Sequence, residues 1–117
     1  MSVDIEQQLM RLIVLSGKAM GQGLNTIMSD YNNQQAWDEV KKYVNQAHDV
    51  QTALIEREVR GENIEVSLLA VHAQDHFMNS HFLTQIGELL LEQQKHIHLL
   101  EERLVVLEEQ LSVRKND

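Results

Sequence analysis

Val66-Ser-Leu-Leu-Ala-Val-His-Ala-Gln-Asp-His-Phe-Met-Asn79 opens the longest uninterrupted helical pattern of the chain. From Leu69 the apolar and His/Asn/Gln positions step by three and four. They are Leu69, His72, His76, Asn79, Leu83, Ile86, Leu90, Gln93, Ile97, Leu100, Leu104, Leu107 and Leu111. This is an a/d seam with Leu69 at a, and it predicts a supercoiled helix from about Ile64 to at least Leu111. At 1.5 Å per residue such a helix is about 70 Å long. A compact domain of this size is only about 35 Å across. The far end of the helix must therefore project, fold back or pack against other copies.

Two shorter helices precede it. Ile5, Leu9, Leu12, Ser16, Ala19, Gly23 and Ile27 give one face of a helix from about Asp4 to Met28, with Ser2 or Asp4 as its cap. Ser29-Asp-Tyr-Asn-Asn33 reads as a turn that supplies the next N-cap. Trp37, Val40, Val44, Ala47, Val50, Leu54 and Glu58 then line a second helix, from about Gln34 to Val59. Arg60-Gly-Glu-Asn63 is the second turn, with Gly61 placed to end that helix.

The totals agree. There are 117 residues, enough for one domain, with no Pro and five Gly. The fold class expected is all-α, a three-helix antiparallel bundle with a long C-terminal helix extended as a coiled coil. The absence of Cys excludes disulfides, thiolate metal sites and a Cys nucleophile. A net charge of −8 argues against nucleic acid as a partner and favours a basic protein. No signal-peptide pattern and no run of about 18 apolar residues is present, so a cytoplasmic location is expected.

Polar groups among the apolar residues of the quoted stretch need a reason. His72 and His76 are an i, i+4 pair on one face. They could hold a transition metal, although no companion ligands are evident. They could be polar seam residues that set oligomeric state. Or one could be a nucleophile for phosphoryl transfer with the other as helper, because a neutral imidazole is nucleophilic. Physics alone does not choose among these. Asp75 lies in a different stripe, with Leu68, Val71, Met78 and Phe82. It pairs with a Lys or Arg from helix 1 or 2, or it meets its own copies on a symmetry axis. Like charges in contact there would recruit a hard divalent cation such as Mg²⁺. His48, with polar neighbours, reads as an ordinary surface residue. Ser16-Gly-Lys-Ala-Met-Gly-Gln-Gly23 is costly inside a helix, at about 1 kcal/mol per Gly. Its small residues either allow close helix packing or leave room for a partner or phosphoryl group. It is not a phosphate-cradling loop, because the Gly-Lys-Ser/Thr ending is missing.

Val71-His-Ala-Gln-Asp-His76 followed by Met78 resembles the signature of the lactose/cellobiose-type IIA component of the bacterial phosphoenolpyruvate-dependent sugar phosphotransferase system. Ser16-Gly-Lys-Ala resembles the family's Ser-Gly-x-Ala of helix 1. Ala47-His-Asp-Val-Gln-Thr-Ala-Leu-Ile-Glu56 resembles its helix 2 motif. The resemblance spans about residues 5 to 92, and it divides the chain into a IIA domain over 1–94 and a coiled-coil extension over 95–117.

The resemblance implies a homotrimer. It implies that His72 accepts a phosphoryl group from phospho-HPr and passes it to a cysteine of the IIB component, with His76 as helper. It implies that Asp75 binds one divalent metal per trimer, Mg²⁺ by its oxygen chemistry, on the threefold axis. Gln74 lies inside the signature without an assigned role. Such a protein does not touch the sugar, so which disaccharide is imported is not legible, and it meets the membrane only through the IIC transporter. The competing reading is a non-catalytic oligomeric adaptor or regulatory coiled-coil protein that keeps the scaffold. Two features depart from the family pattern: a shorter loop around Gly61, and heptads that continue past Gln93.

Overall fold

A computed structural model describes the backbone of residues 2–116 and the side chains of 2–115. Three helices follow in order: α1 (Val3–Ser29), α2 (Gln34–Val59) and α3 (Leu68–Asn116). Their ends have identifiable causes. The Ser2 hydroxyl accepts from the Ile5 amide, and the Asn33 side chain accepts from the Ala36 amide, so each satisfies a first-turn N–H. α2 ends with Gly61 at φ 97°, while the amides of Gly61 and Glu62 donate to the carbonyls of Glu58 and Arg57. That is a Schellman closure, and only a residue without Cβ adopts the required φ cheaply.

Cross-helix contacts fix the directions. Gln22 reaches Glu39 and Asp4 reaches Arg57, so α1 and α2 run antiparallel. Gln51 meets Gln74 and Lys41 meets Glu88, so α2 and α3 are antiparallel as well. α1 and α3 are therefore parallel, and Gly23 opposite Leu83 sets their register. The Arg57 guanidinium is held above its usual range, first by its hydrogen bond to Glu62 and then by that to Asp4. It ties the α2 C-terminus to the α1 N-terminus.

Ile5, Leu9, Leu12, Leu15, Ala47, Leu54, Ala73 and Phe77 form one core cluster. Ala19, Trp37, Val40 and Val44 form a second. Gly87 lets Trp37 seat: a Cβ there would run into the indole ring. The indole Nε1 donates to the Tyr31 carbonyl, and the Tyr31 hydroxyl donates to Gln94. The α1–α2 turn is thereby fastened to the last packed turn of α3.

One expectation is corrected, and one feature of α3 is added. α3 starts at Leu68 rather than near Ile64, because the Ser67 hydroxyl accepts from the Ala70 amide and caps it. The face of α3 that packs against α1 and α2 is also displaced from the a/d seam. Ala73, Phe77, Ser80, Thr84 and Gly87 are buried, whereas His72, Asn79 and Gln93 are exposed. Small side chains permit close approach, and the hydroxyls of Ser80 and Thr84 bond back to Phe77 and Ser80 carbonyls of their own helix. Every residue from Lys95 to Lys115 is exposed. The molecule is 81 Å long and 20–24 Å wide.

Candidate functional site

His72 and His76 sit one helical turn apart on α3, with ring centroids 4.3 Å apart and planes at 50°. His72 is exposed and His76 half-buried. The Nδ1 of His76 is buried without a hydrogen-bond partner. The pair borders the buried face, because positions 73 and 77 beside it carry the packing. An exposed imidazole next to a second ring is chemically capable of nucleophilic attack. Among the described residues no three His, Cys, Asp or Glu side chains cluster to hold a metal. The transition-metal reading of the pair therefore lacks its remaining ligands within the protomer.

Asp75 is exposed on the outer side of α3, in a stripe with Val71, Met78 and Phe82, which are 53%, 58% and 61% exposed. Among the described residues no Lys or Arg forms an ion pair with it. The expected pairing to helix 1 or 2 is not formed among the described residues. One carboxylate gives a hard cation a single side-chain ligand, whereas such ions take six or more oxygens. The residue fits a metal only where copies bring further carboxylates to it.

Gln74 has a structural assignment that the sequence alone did not supply. Its amide and that of Gln51 exchange two hydrogen bonds of 2.6 Å, each Nε2 donating to the other's Oε1. The pair locks α3 against α2 directly beside the histidines. The available signal was that both Gln lie within stretches carrying the family resemblance. His48 is exposed, with its ring 6.1 Å from Phe77 and its Nδ1 3.5 Å from the Thr52 hydroxyl, as expected of a surface residue. In the Ser16–Gly23 stretch only Gly23 meets a close neighbour, Leu83, while a Cβ at Gly17 or Gly21 would enter open space. Close packing therefore accounts for one of the three glycines. No helix among the described residues is long and apolar enough to cross a membrane.

Comparison with known proteins is decisive for the scaffold. The family model of the lactose/cellobiose-specific IIA subunit of the phosphotransferase system matches residues 7–95. The chain belongs to this IIA family. It is 30% identical over 107 residues to the galactose-specific EIIA component of Lactococcus lactis, covering 87% of this chain and 92% of that protein. It is 34% identical over 94 residues to the N,N'-diacetylchitobiose-specific EIIA component of Escherichia coli K12, covering 76% and 81%. The crystal structure of the cellobiose-specific enzyme IIA from Bacillus anthracis superposes with a TM-score of 0.73 at 31% identity, covering 85% of this chain and 95% of that one. The protein is thus a IIA component of a sugar phosphotransferase system. Its α3 past residue 95 lies outside the matched family region. Relatives named for three different sugars are similar at nearly equal identity, which leaves the sugar open.

Proposed function

We propose that this IIA chain is a phosphocarrier in the uptake of a disaccharide of the lactose, cellobiose or chitobiose class. A neutral His72 nitrogen attacks the phosphorus of phospho-HPr, a P–N bond forms, and the HPr histidine leaves with its electron pair. A cysteine thiolate of the IIB component then attacks the same phosphorus and His72 leaves. The exposed His72 beside the half-buried His76 carries the reading. An adaptor that merely kept the scaffold would have no use for a solvent-facing imidazole at His72. The protein works in the cytoplasm, contacts no sugar, and meets the membrane only through the IIC transporter.

The chain acts as a homotrimer. The support is the exposed apolar stripe of Val71, Met78, Phe82 and Leu89 on the outer side of α3. Apolar exposure of that extent on a narrow bundle calls for a partner surface, and like copies are the simplest source. Three Asp75 carboxylates would meet there and hold a divalent cation, Mg²⁺ by the hardness of its oxygen ligands. That ion would neutralise carboxylates otherwise forced together. The seam at Ile97, Leu100, Leu104, Leu107 and Leu111 continues the assembly as a coiled coil.

The test is incubation with phosphoenolpyruvate, enzyme I and HPr. An acid-labile phosphate is expected on the protein and is lost in His72→Ala. Label that survives His72→Ala defeats the assignment. Asp75→Ala should leave labelling possible while lowering metal content and assembly, and an unaltered trimer with unaltered metal defeats the axial site.

A further inference from the structure

The outer stripe of α3 and the leucine seam of its tail lie on one side of the helix, although their heptad positions differ. At about 100° per residue, Val71, Met78, Phe82 and Leu89 fall within about 40° of one another. The buried face of Ala73, Phe77, Ser80, Thr84 and Gly87 lies opposite. On the same scale Ile97, Leu100, Leu104, Leu107 and Leu111 centre about 40° from the outer stripe. The alternation through His72, His76, Leu83 and Leu90 does not stay with that stripe. A straight helix drifts by about 20° per heptad against a seven-residue repeat. His72, His76, Leu83 and Leu90 consequently lie about 100–140° away from the stripe. A different period joins the two halves. Val71 and Phe82, Met78 and Leu89, Ile86 and Ile97, and Leu89 and Leu100 are each eleven residues apart. Gln93, eleven residues after Phe82, bridges Leu89 and Ile97. From Ile97 the spacing becomes seven, through Leu104 to Leu111. A strip of eleven-residue period runs straight or winds to the right, and one of seven-residue period winds to the left.

We propose that the strip from Val71 to Leu111 is one self-association seam, occupied by further copies of this chain that lie parallel and in register. The inference rests on the homotrimer reading and specifies the face that it uses. The change of period selects the occupant. Parallel copies in register match the spacing at every level by symmetry. An antiparallel copy would set the eleven-residue half against the seven-residue half. A helix of one period throughout would drift off the strip in one half or the other. The strip is also long enough to bind copies firmly: it spans about 60 Å of a molecule 81 Å long. Its apolar side chains are exposed at both ends, from Val71 to Leu111. The consequence for the histidines is direct. Asp75, four residues after Val71, falls within the strip, whereas His72 and His76 stay to its side. The copies therefore join without covering the histidines, which remain open to a phosphoryl donor and are not the polar residues of the seam.

The chain contains no cysteine, so single cysteines placed in the full chain report which side of α3 meets its copies. Under mild oxidation Phe82→Cys and Leu89→Cys should cross-link between chains at least about tenfold faster than Leu83→Cys and Leu90→Cys, because a disulfide needs Cβ atoms about 4 Å apart. Ile97→Cys and Leu100→Cys should match the fast pair. Leu83 abuts Gly23, so the Tm of each variant is measured first, and Leu90→Cys carries the comparison if Leu83→Cys does not fold. Faster linking through positions 83 and 90 overturns the proposal, since it would mean an unbroken heptad seam that includes the histidines. Equal rates on the two sides overturn it as well. A monomer in sedimentation of the unmodified chain defeats the homotrimer reading and the seam together. A trimer linked through the wrong side defeats the seam alone.

Discussion

The two halves of α3 meet opposite surroundings with one continuous heptad pattern. Up to Gln94 the helix lies against α1 and α2, and its packed face is built from Ala73, Phe77, Ser80, Thr84 and Gly87. From Lys95 to Lys115 every residue is exposed, and the helix carries Ile97, Leu100, Leu104, Leu107 and Leu111 in the open. Small residues belong where neighbouring helices are already held close by the chain. Large leucines belong where association has to be driven by buried area alone. The first half is thus shaped by intramolecular fit and the second by a demand for partners.

The largest test of this contrast removes the second half. A chain ending at Gln94 should keep its bundle, because the described residues removed are all exposed and belong to neither core cluster. It should lose five seam side chains per copy from the assembly. At about 1.5 kcal/mol or more for each fully buried aliphatic, the loss is roughly 7 kcal/mol per chain, and sedimentation analysis should show a much weaker trimer. An assembly of undiminished stability would mean that the tail serves another partner.

Glycine substitutions sharpen the same contrast inside the bundle. Gly87→Ala drives a Cβ into the rigid Trp37 ring and should cost about 1–3 kcal/mol, read as a lowered Tm. Gly21→Ala enters open space and should gain up to about 1 kcal/mol of helix propensity. If Gly21→Ala leaves the Tm raised but impairs transfer from phospho-HPr, the open space is a docking surface.

Much of the bundle could be read from the sequence because its determinants are local. Ser2, Asn33 and Gly61 act within a few residues of the helix ends that they close, and Ile5, Leu9, Leu12, Trp37, Val40 and Val44 repeat at helical spacing. The start of α3 was harder to read. Ile64 and Val66 continue the apolar pattern across the turn, so the cap at Ser67 looked like one more polar position. Which face of α3 packs inward was hidden for a related reason. Two stripes one residue apart share the same three-four alternation, and the leucine-rich one signals louder than Ala73, Ser80 and Gly87. The histidine pair and the separate placement of Asp75 followed from spacing. The Gln51–Gln74 lock depends on the register between helices, which no single-helix pattern contains.

The glutamine lock yields an intermediate effect. Gln51→Leu leaves the half-buried Gln74 amide without its partner and should cost about 1–3 kcal/mol. Replacing both by Leu should recover most of that stability, because no orphaned amide remains. A double variant as unstable as the single one would show that the amides hold something besides each other.

The smallest effect concerns the direction in which the tails pair. With Ile97, Leu104 and Leu111 at a, the e positions hold Glu101, Glu108 and Lys115, and the g positions hold His96, Arg103 and Gln110. Parallel chains bring each g residue next to the e residue five positions on in the neighbour. Arg103 then faces Glu108, and His96 faces Glu101. Antiparallel chains would instead set e against e, with Glu101 and Glu108 in repulsion. Exposed pairs of this kind are worth only about 0.3–0.5 kcal/mol each. Arg103→Glu should therefore weaken the assembly by roughly 1 kcal/mol at low salt, since it replaces an attraction with a repulsion, and the loss should fade as ionic strength rises. Adding Glu108→Arg should restore it. A tail that tolerates Arg103→Glu but not Leu104→Ala is packed through its seam without the parallel register.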